Sequence, residues 1–176
     1  MIISDSEIDL NNWSKNLNKS KIIANSTDFQ NRILELNLRN SLFIDNTASE
    51  LIPDTYSEYL NNGIGIITCN KIANSGTLSN YQNLKTLSRN NNCSFLYETN
   101  VGAALPVIST LNNLINSGDK IIKIEAVLSG TLNYIFNSFN KVDTFHKIVS
   151  KAVDLGYTEP DPKIDLCGVD AVSYTH

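Results

Sequence analysis

The sequence predicts an α/β fold built on a parallel sheet, because short apolar runs alternate with helical patterns along its first hundred residues. The runs cover residues 41–45, 65–68 and 94–98, and their length suits strands that are buried on both faces. The segments between them are long enough for helical crossovers, which connect parallel strands with a right-handed sense. We therefore expect three adjacent parallel strands with helices packed against the sheet.

Helices in this first part are located by apolar spacing and by capping residues. Two are expected ahead of the first strand, over residues 9–17 and 27–38. Pro53 suits the first turn of the next helix, which should end near Leu60. A further helix is predicted over residues 77–88, before the third strand.

The pattern changes after residue 98. Three further helices are expected, over residues 106–116, 131–139 and 145–155. Residues 120–127 alternate apolar and polar side chains and are predicted to form a strand. Thr131 and Thr144 are expected to cap the helices that follow them, and Gly156 to end the last one in a left-handed conformation.

Composition excludes several classes of protein. A net charge of −4 and a pI near 5.1 provide no basic surface for nucleic acid. Apolar runs such as 121–128 are too short to span a membrane, and the first residues lack the pattern of a secretory signal. The three cysteines, Cys69, Cys93 and Cys167, are too far apart for a zinc or disulfide pattern. We expect a soluble cytoplasmic protein.

Polar residues follow each predicted strand, at 46–49, 70–71 and 98–100. Because parallel strands end at one edge of their sheet, these residues should line a single crevice, which is where such sheets bind ligands. A second polar stretch, at 156–170, places four carboxylates within twelve positions. Its composition alone would fit a solvated acidic turn stiffened by Pro160 and Pro162.

That stretch, Gly-Tyr-Thr-Glu-Pro-Asp-Pro at 156–162 followed by Asp-Leu-Cys-Gly-Val-Asp at 165–170, resembles the substrate-binding signature of homoserine dehydrogenases. Residues 68–71, 97–106 and 128–136 resemble further motifs of the family in the same order. The resemblance implies an oxidoreductase that interconverts L-homoserine and L-aspartate 4-semialdehyde with NADP or NAD, in threonine and methionine biosynthesis. Residues 10–13 fit the bifunctional aspartokinase–homoserine dehydrogenases.

The resemblance also implies roles for individual residues. Lys71 and Asp165 are the implied catalytic residues, and an ammonium group can stabilise the charge that hydride delivery builds on a carbonyl oxygen. Glu159 and Asp170 are the implied carboxylates for the α-ammonium group of homoserine. Asp161 has no counterpart and is interpreted as a turn residue.

Two ligands other than the substrate are implied. The cofactor contacts are Thr47, Ser49, Lys71 and Gly156. A monovalent cation, Na⁺ or K⁺, would bind mostly to backbone carbonyls of Glu98, Val101, Ala103 and Leu105. The same loop could equally be a plain entry to the helix that follows.

The sequence departs from the family in two respects. Gly63 is its first glycine, so the glycine-rich turn that holds a pyrophosphate is not found and the first βαβ unit of the family is missing. Tyr174 stands where the family has a lysine.

We therefore expect a fragment, with residues 1–98 forming the later part of an NAD(P)-binding domain and 99–176 the opening of an α+β catalytic domain. The expected partner is a small-molecule substrate, with neither nucleic acid nor membrane, and the full-length parent should be a homo-oligomer. The alternative is a non-catalytic remnant or association module that keeps the fold without turnover.

Overall fold

A computed structural model describes residues 1–4, 6–127, 129–139, 142–159 and 161–167. The chain divides into two compact units, Met1–Ser41 and Leu42–His176. Within the described residues, no helix combines the length and apolar character that crossing a bilayer requires.

The first unit contains two helices, α1 (Trp13–Lys19) and α2 (Ser26–Leu36). Helix α1 begins later than predicted, because the Asp9 carboxylate accepts hydrogen bonds from the residues just before the helix and holds them in a turn. The side chain of Asn25 caps α2, and the helix ends where Asn37 adopts a left-handed conformation with φ of 43°.

The second unit contains the predicted parallel sheet. Its strands are β1 (Leu42–Asp45), β2 (Gly65–Thr68) and β3 (Phe95–Leu96), in the order β1-β2-β3. Strand β2 is central and largely buried, as expected. The expectation that β1 is buried on both faces is wrong: Leu42 and Ile44 are 55% and 58% exposed, since no described element covers that face.

Helices on the other face of the sheet form the core. A 3₁₀ turn (Ile52–Thr55), which carries Pro53, leads into α3 (Tyr56–Asn61). The short α4 (Ile72–Ser75) and the longer α5 (Leu78–Asn90) connect β2 to β3, with Thr77 capping α5. The fully buried side chains include Tyr56, Tyr59, Leu60, Ile66 and Leu84.

Beyond β3 the chain is mostly helical. A 3₁₀ turn (Glu98–Asn100) shortens β3 relative to the prediction, and the described residues after it form four helices. They are α6 (Val107–Asn116), α7 (Gly130–Ser138), α8 (Phe145–Asp154) and α9 (Pro162–Leu166). Helices α7 and α8 pack through Ile135, Ile148 and Ala152.

Two predictions in this part are wrong. Residues 120–127 form no strand, and Ile122 is 97% exposed, because the described residues offer no neighbouring strand to pair with this segment. Ser129, not Thr131, caps α7 through a hydrogen bond from the Leu132 amide. The cap by Thr144 on α8 and the left-handed Gly156, with φ of 71°, are confirmed.

Candidate functional site

A buried aspartate lies at the carboxyl end of β1. Asp45 is 1% exposed, and its Oδ2 accepts hydrogen bonds from the Tyr56 hydroxyl at 2.6 Å and from Asn70 Nδ2 at 3.1 Å. Its Oδ1 accepts a third from the Thr47 amide at 2.8 Å. A buried carboxylate is stable only when hydrogen bonds replace its contacts with water. Because the donors lie on α3 and just after β2, Asp45 connects these two elements to the end of β1.

These contacts fix the charge state of Asp45. Burial is the largest influence on its pKa and acts upward, but the hydrogen bonds from Tyr56, Thr47 and Asn70 together outweigh it. The pKa of Asp45 is therefore held below its ordinary value of 3.8. Burial, followed by the hydrogen bond to Asp45, raises the pKa of Tyr56 well above its usual range. At neutral pH Asp45 is an ionised acceptor and Tyr56 a neutral donor.

Asn70 is the hub that connects the three strand ends. The Asn70 Nδ2 also donates to the Ser49 backbone carbonyl at 2.9 Å. The backbone carbonyl of Asn70 accepts from Asn100 Nδ2 at 3.2 Å. The Asn70 Oδ1 accepts from the Ile72 amide at the start of α4. The prediction that the polar residues after the strands meet at one edge is thereby confirmed for Ser49, Asn70 and Asn100.

Lys71 follows this hub directly. It is half-buried and serves as the N-cap residue of α4, so its backbone position is set by the hydrogen bonds on both sides of it. Thr47 is exposed on the loop after β1, and its Oγ1 accepts a hydrogen bond from the Ser49 amide at 3.2 Å. The structure thus brings the predicted residues Thr47 and Ser49 into one hydrogen-bonded network with the neighbour of Lys71.

Gly156 lies elsewhere in the unit. It follows the C-terminus of α8, where the Tyr157 amide donates to the Ala152 carbonyl and closes the helix. No hydrogen bond between described residues joins Gly156 to Asn70. A Cβ added at Gly156 would meet nothing within 4 Å, so the surface beside it is open.

A second buried aspartate organises the acidic stretch. Asp165 is 2% exposed, and its Oδ2 accepts a hydrogen bond from the Glu159 amide at 2.8 Å. Its Oδ1 lies 2.9 Å from the Thr131 hydroxyl, which also contacts the Tyr157 carbonyl. Asp165 therefore fixes the backbone of Glu159, whose own carboxylate is exposed.

The remaining residues of this stretch divide into two groups. Asp161 caps α9 by accepting from the Lys163 amide at 3.0 Å, which fits its interpretation as a turn residue. Asp170 and Tyr174 lie outside the described residues.

The predicted cation loop has an additional structural role. Both oxygens of Glu98 accept hydrogen bonds from the first turn of α6, from the Ile108 amide at 2.9 Å and the Ser109 amide at 2.7 Å. The carboxylate therefore caps α6 and complements its dipole.

Backbone oxygens of that loop differ in their availability. The Leu105 carbonyl accepts from the Val107 amide, whereas no described amide donates to the carbonyls of Val101 and Ala103. Over the described part of the chain, no group of three or more His, Cys, Asp or Glu side chains could hold a metal ion.

Sequence reasoning missed three residues of the buried network. They are Asp45, Tyr56 and Thr68. Thr68 Oγ1 lies 2.8 Å from the Tyr56 hydroxyl and accepts from the Asn70 amide at 2.9 Å. One signal was available, because an aspartate that ends an apolar strand must find partners when it is buried.

Three parallel strands with helical crossovers and a polar edge at their carboxyl ends define a Rossmann-like nucleotide-binding unit. The family model for the homoserine dehydrogenase NAD-binding domain matches residues 1–98, and the model for homoserine dehydrogenase matches residues 106–175. The chain belongs to the homoserine dehydrogenase family.

Named relatives agree with this assignment. The chain is 44% identical to a chloroplastic bifunctional aspartokinase/homoserine dehydrogenase 1 of Zea mays, over 97% of this chain and 19% of the relative. It is 43% identical to a homoserine dehydrogenase of Schizosaccharomyces pombe, over 93% of this chain and 44% of the relative. The chain therefore spans about a fifth of the length of the Zea mays protein and less than half of the Schizosaccharomyces pombe protein.

A solved structure gives the same result. A hyperthermophilic archaeal homoserine dehydrogenase in complex with NADPH superimposes with a TM-score of 0.72 at 26% identity. The match covers 90% of this chain and 48% of the archaeal one.

Proposed function

We propose that this chain forms part of a homoserine dehydrogenase, which interconverts L-homoserine and L-aspartate 4-semialdehyde with NADP or NAD in threonine and methionine biosynthesis. The observation that carries the proposal is the buried network around Asn70, which sets the backbone of Lys71 at the carboxyl edge of a nucleotide-binding sheet. Ligands bind at that edge in sheets of this kind.

The cofactor contacts are proposed to be Thr47, Ser49, Lys71 and Gly156. The residues fit a dinucleotide, because Thr47 is exposed on a loop pinned by Asp45 and the surface beside Gly156 is open. When bound, the dinucleotide supplies or accepts the hydride.

Lys71 is proposed to act on the oxygen of the reacting carbonyl. Hydride arrival leaves negative charge on that oxygen, and the ammonium group of Lys71 stabilises the charge or supplies a proton. The half-buried position of Lys71 strengthens this interaction, since less water screens it.

The substrate is proposed to bind through its α-ammonium group to Glu159 and Asp170. The exposed carboxylate of Glu159 is available for this contact, and Asp165 holds the Glu159 backbone in place. Asp165 is proposed to act close to the reacting centre. Its hydrogen bonds to Thr131 and Glu159 favour a contribution through the position of Glu159.

A monovalent cation, Na⁺ or K⁺, is proposed to bind at Glu98, Val101, Ala103 and Leu105. The carbonyls of Val101 and Ala103, which accept no hydrogen bond from a described backbone amide, support this proposal. Bound there, the ion would hold the loop that leads into α6.

The domain boundary is proposed to fall at residues 98 and 99, where the sheet ends and the helical part begins. The full-length parent is proposed to be a cytoplasmic homo-oligomer. Exposed apolar side chains on β1 and at Ile122 also favour the second candidate, an association module without turnover.

A chimera separates the two candidates. This chain would replace the matching segment of the Schizosaccharomyces pombe homoserine dehydrogenase, and homoserine-dependent reduction of NADP⁺ would be followed by absorbance. Tyr174 can donate a proton but cannot carry the positive charge of a lysine. We expect measurable turnover, and Tyr174→Lys should raise kcat by at least about tenfold. A folded chimera that shows no turnover with either residue would favour the association module.

A further inference from the structure

The peptide group that precedes Lys71 is held by a side chain from a distant part of the sequence. Asn100 Nδ2 donates to the backbone carbonyl of Asn70 at 3.2 Å, across 30 positions of the chain. The Thr68 hydroxyl lies 3.4 Å from the same carbonyl, but it belongs to the turn that the Asn70 amide closes. Asn100 therefore connects the end of β3 to the peptide that leads into Lys71.

The peptide group that follows Lys71 is held independently. The Lys71 carbonyl accepts from the Asn74 and Ser75 amides of α4, at 3.1 and 3.0 Å. The Ile72 amide, on the other side of the same peptide, donates to Asn70 Oδ1 at 3.1 Å. Lys71 thus lies between two held peptide groups, and the hydrogen bonds of the second do not involve the residues after β3.

Asn100 is suited to this role because it is itself held in place. It ends the 3₁₀ turn (Glu98–Asn100), in which its own amide donates to the Tyr97 carbonyl at 3.1 Å. Two residues earlier, the Glu98 carboxylate accepts from two amides in the first turn of α6. Because Asn100 is only 3% exposed, little water competes for its donor group. A donor held in this way restricts the carbonyl that accepts from it.

The amide of Asn100 contributes little to the stability of the fold. Its Oδ1 is buried and has no partner among the described residues, which is unfavourable. An apolar side chain of similar size would lose the hydrogen bond to Asn70 but would also remove this unpaired oxygen. The two effects oppose each other, so the position of the Asn70 carbonyl is what the amide mainly determines.

We propose that Asn100 is a positioning residue for the reaction, which acts by fixing the peptide between Asn70 and Lys71. Rotation of that peptide would change φ of Lys71 and redirect its ammonium group. The flexible lysine stem can recover part of the lost geometry, so the expected effect is moderate. This inference rests on the proposed role of Lys71, and it adds a residue that acts through Lys71 and not through a contact with the substrate.

The principal variant is Asn100→Leu, in the Schizosaccharomyces pombe chimera that carries Tyr174→Lys. It keeps the approximate size of the side chain and removes the donor. The kcat for homoserine oxidation should fall by about tenfold, with KM for homoserine and NADP⁺ within about threefold of the parent. A kcat within about threefold of the parent, or a tenfold rise in KM, would overturn the proposal. Asn100→Ala removes the same donor and takes the place of leucine if leucine prevents folding.

The matched control is Asn91→Leu. The Asn91 Nδ2 also donates to a backbone carbonyl, that of Leu87 at 3.1 Å, but at the exposed end of α5. This variant should change neither kcat nor KM. Because the opposing effects at Asn100 nearly cancel, the Tm of Asn100→Leu should stay within about 3 °C of the parent. A fall of more than about 10 °C would show a general structural role for Asn100 and contradict the proposal.

A double variant shows whether Asn100 acts through Lys71. In the Lys71→Ala background, Asn100→Leu should leave the residual kcat within about threefold. A second tenfold fall in that background would place the effect of Asn100 on another group and overturn the proposal. If Lys71→Ala itself has no effect on kcat, the proposed role of Lys71 is wrong. If Lys71→Ala lowers kcat but Asn100→Leu does not, only the role of Asn100 is wrong.

Hydrogen exchange, measured by NMR on the full chain, tests the position of Lys71 without turnover. When the bond from Asn100 is removed, the backbone around Lys71 should open more often. The Ile72 amide should therefore exchange at least about fivefold faster in Asn100→Leu than in the wild type. The Ile108 amide, which donates to Glu98, is the internal control and should keep its rate. An unchanged rate at Ile72, or an equal increase at Ile108, would overturn the proposal.

Discussion

Two buried aspartates organise two different regions, and they use their hydrogen bonds differently. Asp45 accepts from Tyr56, Asn70 and Thr47, so it ties β1, β2 and α3 together beneath the loop that carries Thr47. Asp165 accepts from the Thr131 hydroxyl and the Glu159 amide. The first network is buried and lies next to Lys71 in the chain, whereas the second holds the backbone of Glu159, whose carboxylate is exposed.

If the proposed site residues are right, each buried aspartate supports the site through the residue that it holds in place. In each region the aspartate is nearly inaccessible to solvent. It accepts a hydrogen bond from the backbone amide of a proposed ligand-binding residue, which is Thr47 for Asp45 and Glu159 for Asp165. Loss of Asp45 should therefore act on the whole sheet edge, and loss of the Asp165 contacts on the acidic stretch alone.

The largest effect on stability is expected for Asp45→Ala. It leaves the buried donors of Tyr56 and Asn70 without their shared acceptor, which should cost about 3–5 kcal/mol of unfolding free energy. Urea unfolding followed by circular dichroism measures this change. Asp154→Ala, at an exposed position, is the control and should stay within about 0.5 kcal/mol. Equal effects of the two variants would contradict the role of Asp45.

Acid should weaken the same network. The pKa of Asp45 is lowered in the folded protein, so its contribution is complete above the unfolded value of 3.8 and is lost as pH falls through the folded value. The difference in unfolding free energy between wild type and Asp45→Asn should be constant above about pH 5 and shrink below about pH 4. A difference that grows on acidification would contradict the direction of the shift.

A smaller effect is expected in the second region, for Thr131→Val. The change keeps the shape of the side chain but removes the hydroxyl between Asp165 and the Tyr157 carbonyl, at a cost of about 1–3 kcal/mol. Thr86→Val is the matched control, since that hydroxyl bonds to the Gln82 carbonyl on the exposed face of α5. The control should lose less than about 0.5 kcal/mol, and similar losses for both would argue against a special role for Thr131.

Local signals in the sequence predicted much of this fold. The alternation of apolar strands with helices, the cap at Thr144 and the left-handed Gly156 each depend on a few neighbouring residues. Such features are encoded by short-range physical chemistry, so sequence reasoning found them.

The features it missed depend on residues far apart in the chain. Ser129 and Thr131 are equally suitable caps for α7, and what distinguishes them is the contact of Thr131 with Tyr157 and Asp165. The strand predicted over residues 120–127 has the right alternation but no described partner strand. The buried network likewise joins Asp45 to Asn70, which lies 25 positions away.

The most direct test of the central claim is the kcat of Lys71→Ala in the Schizosaccharomyces pombe chimera that carries Tyr174→Lys. If Lys71 stabilises charge on the reacting oxygen, kcat for homoserine oxidation should fall by about 10²–10⁴, with a much smaller change in KM. Lys15→Ala, on the exposed helix α1, is the control and should leave both constants unchanged. A kcat for Lys71→Ala within about threefold of the parent would contradict the assignment of Lys71 to the chemistry of this site.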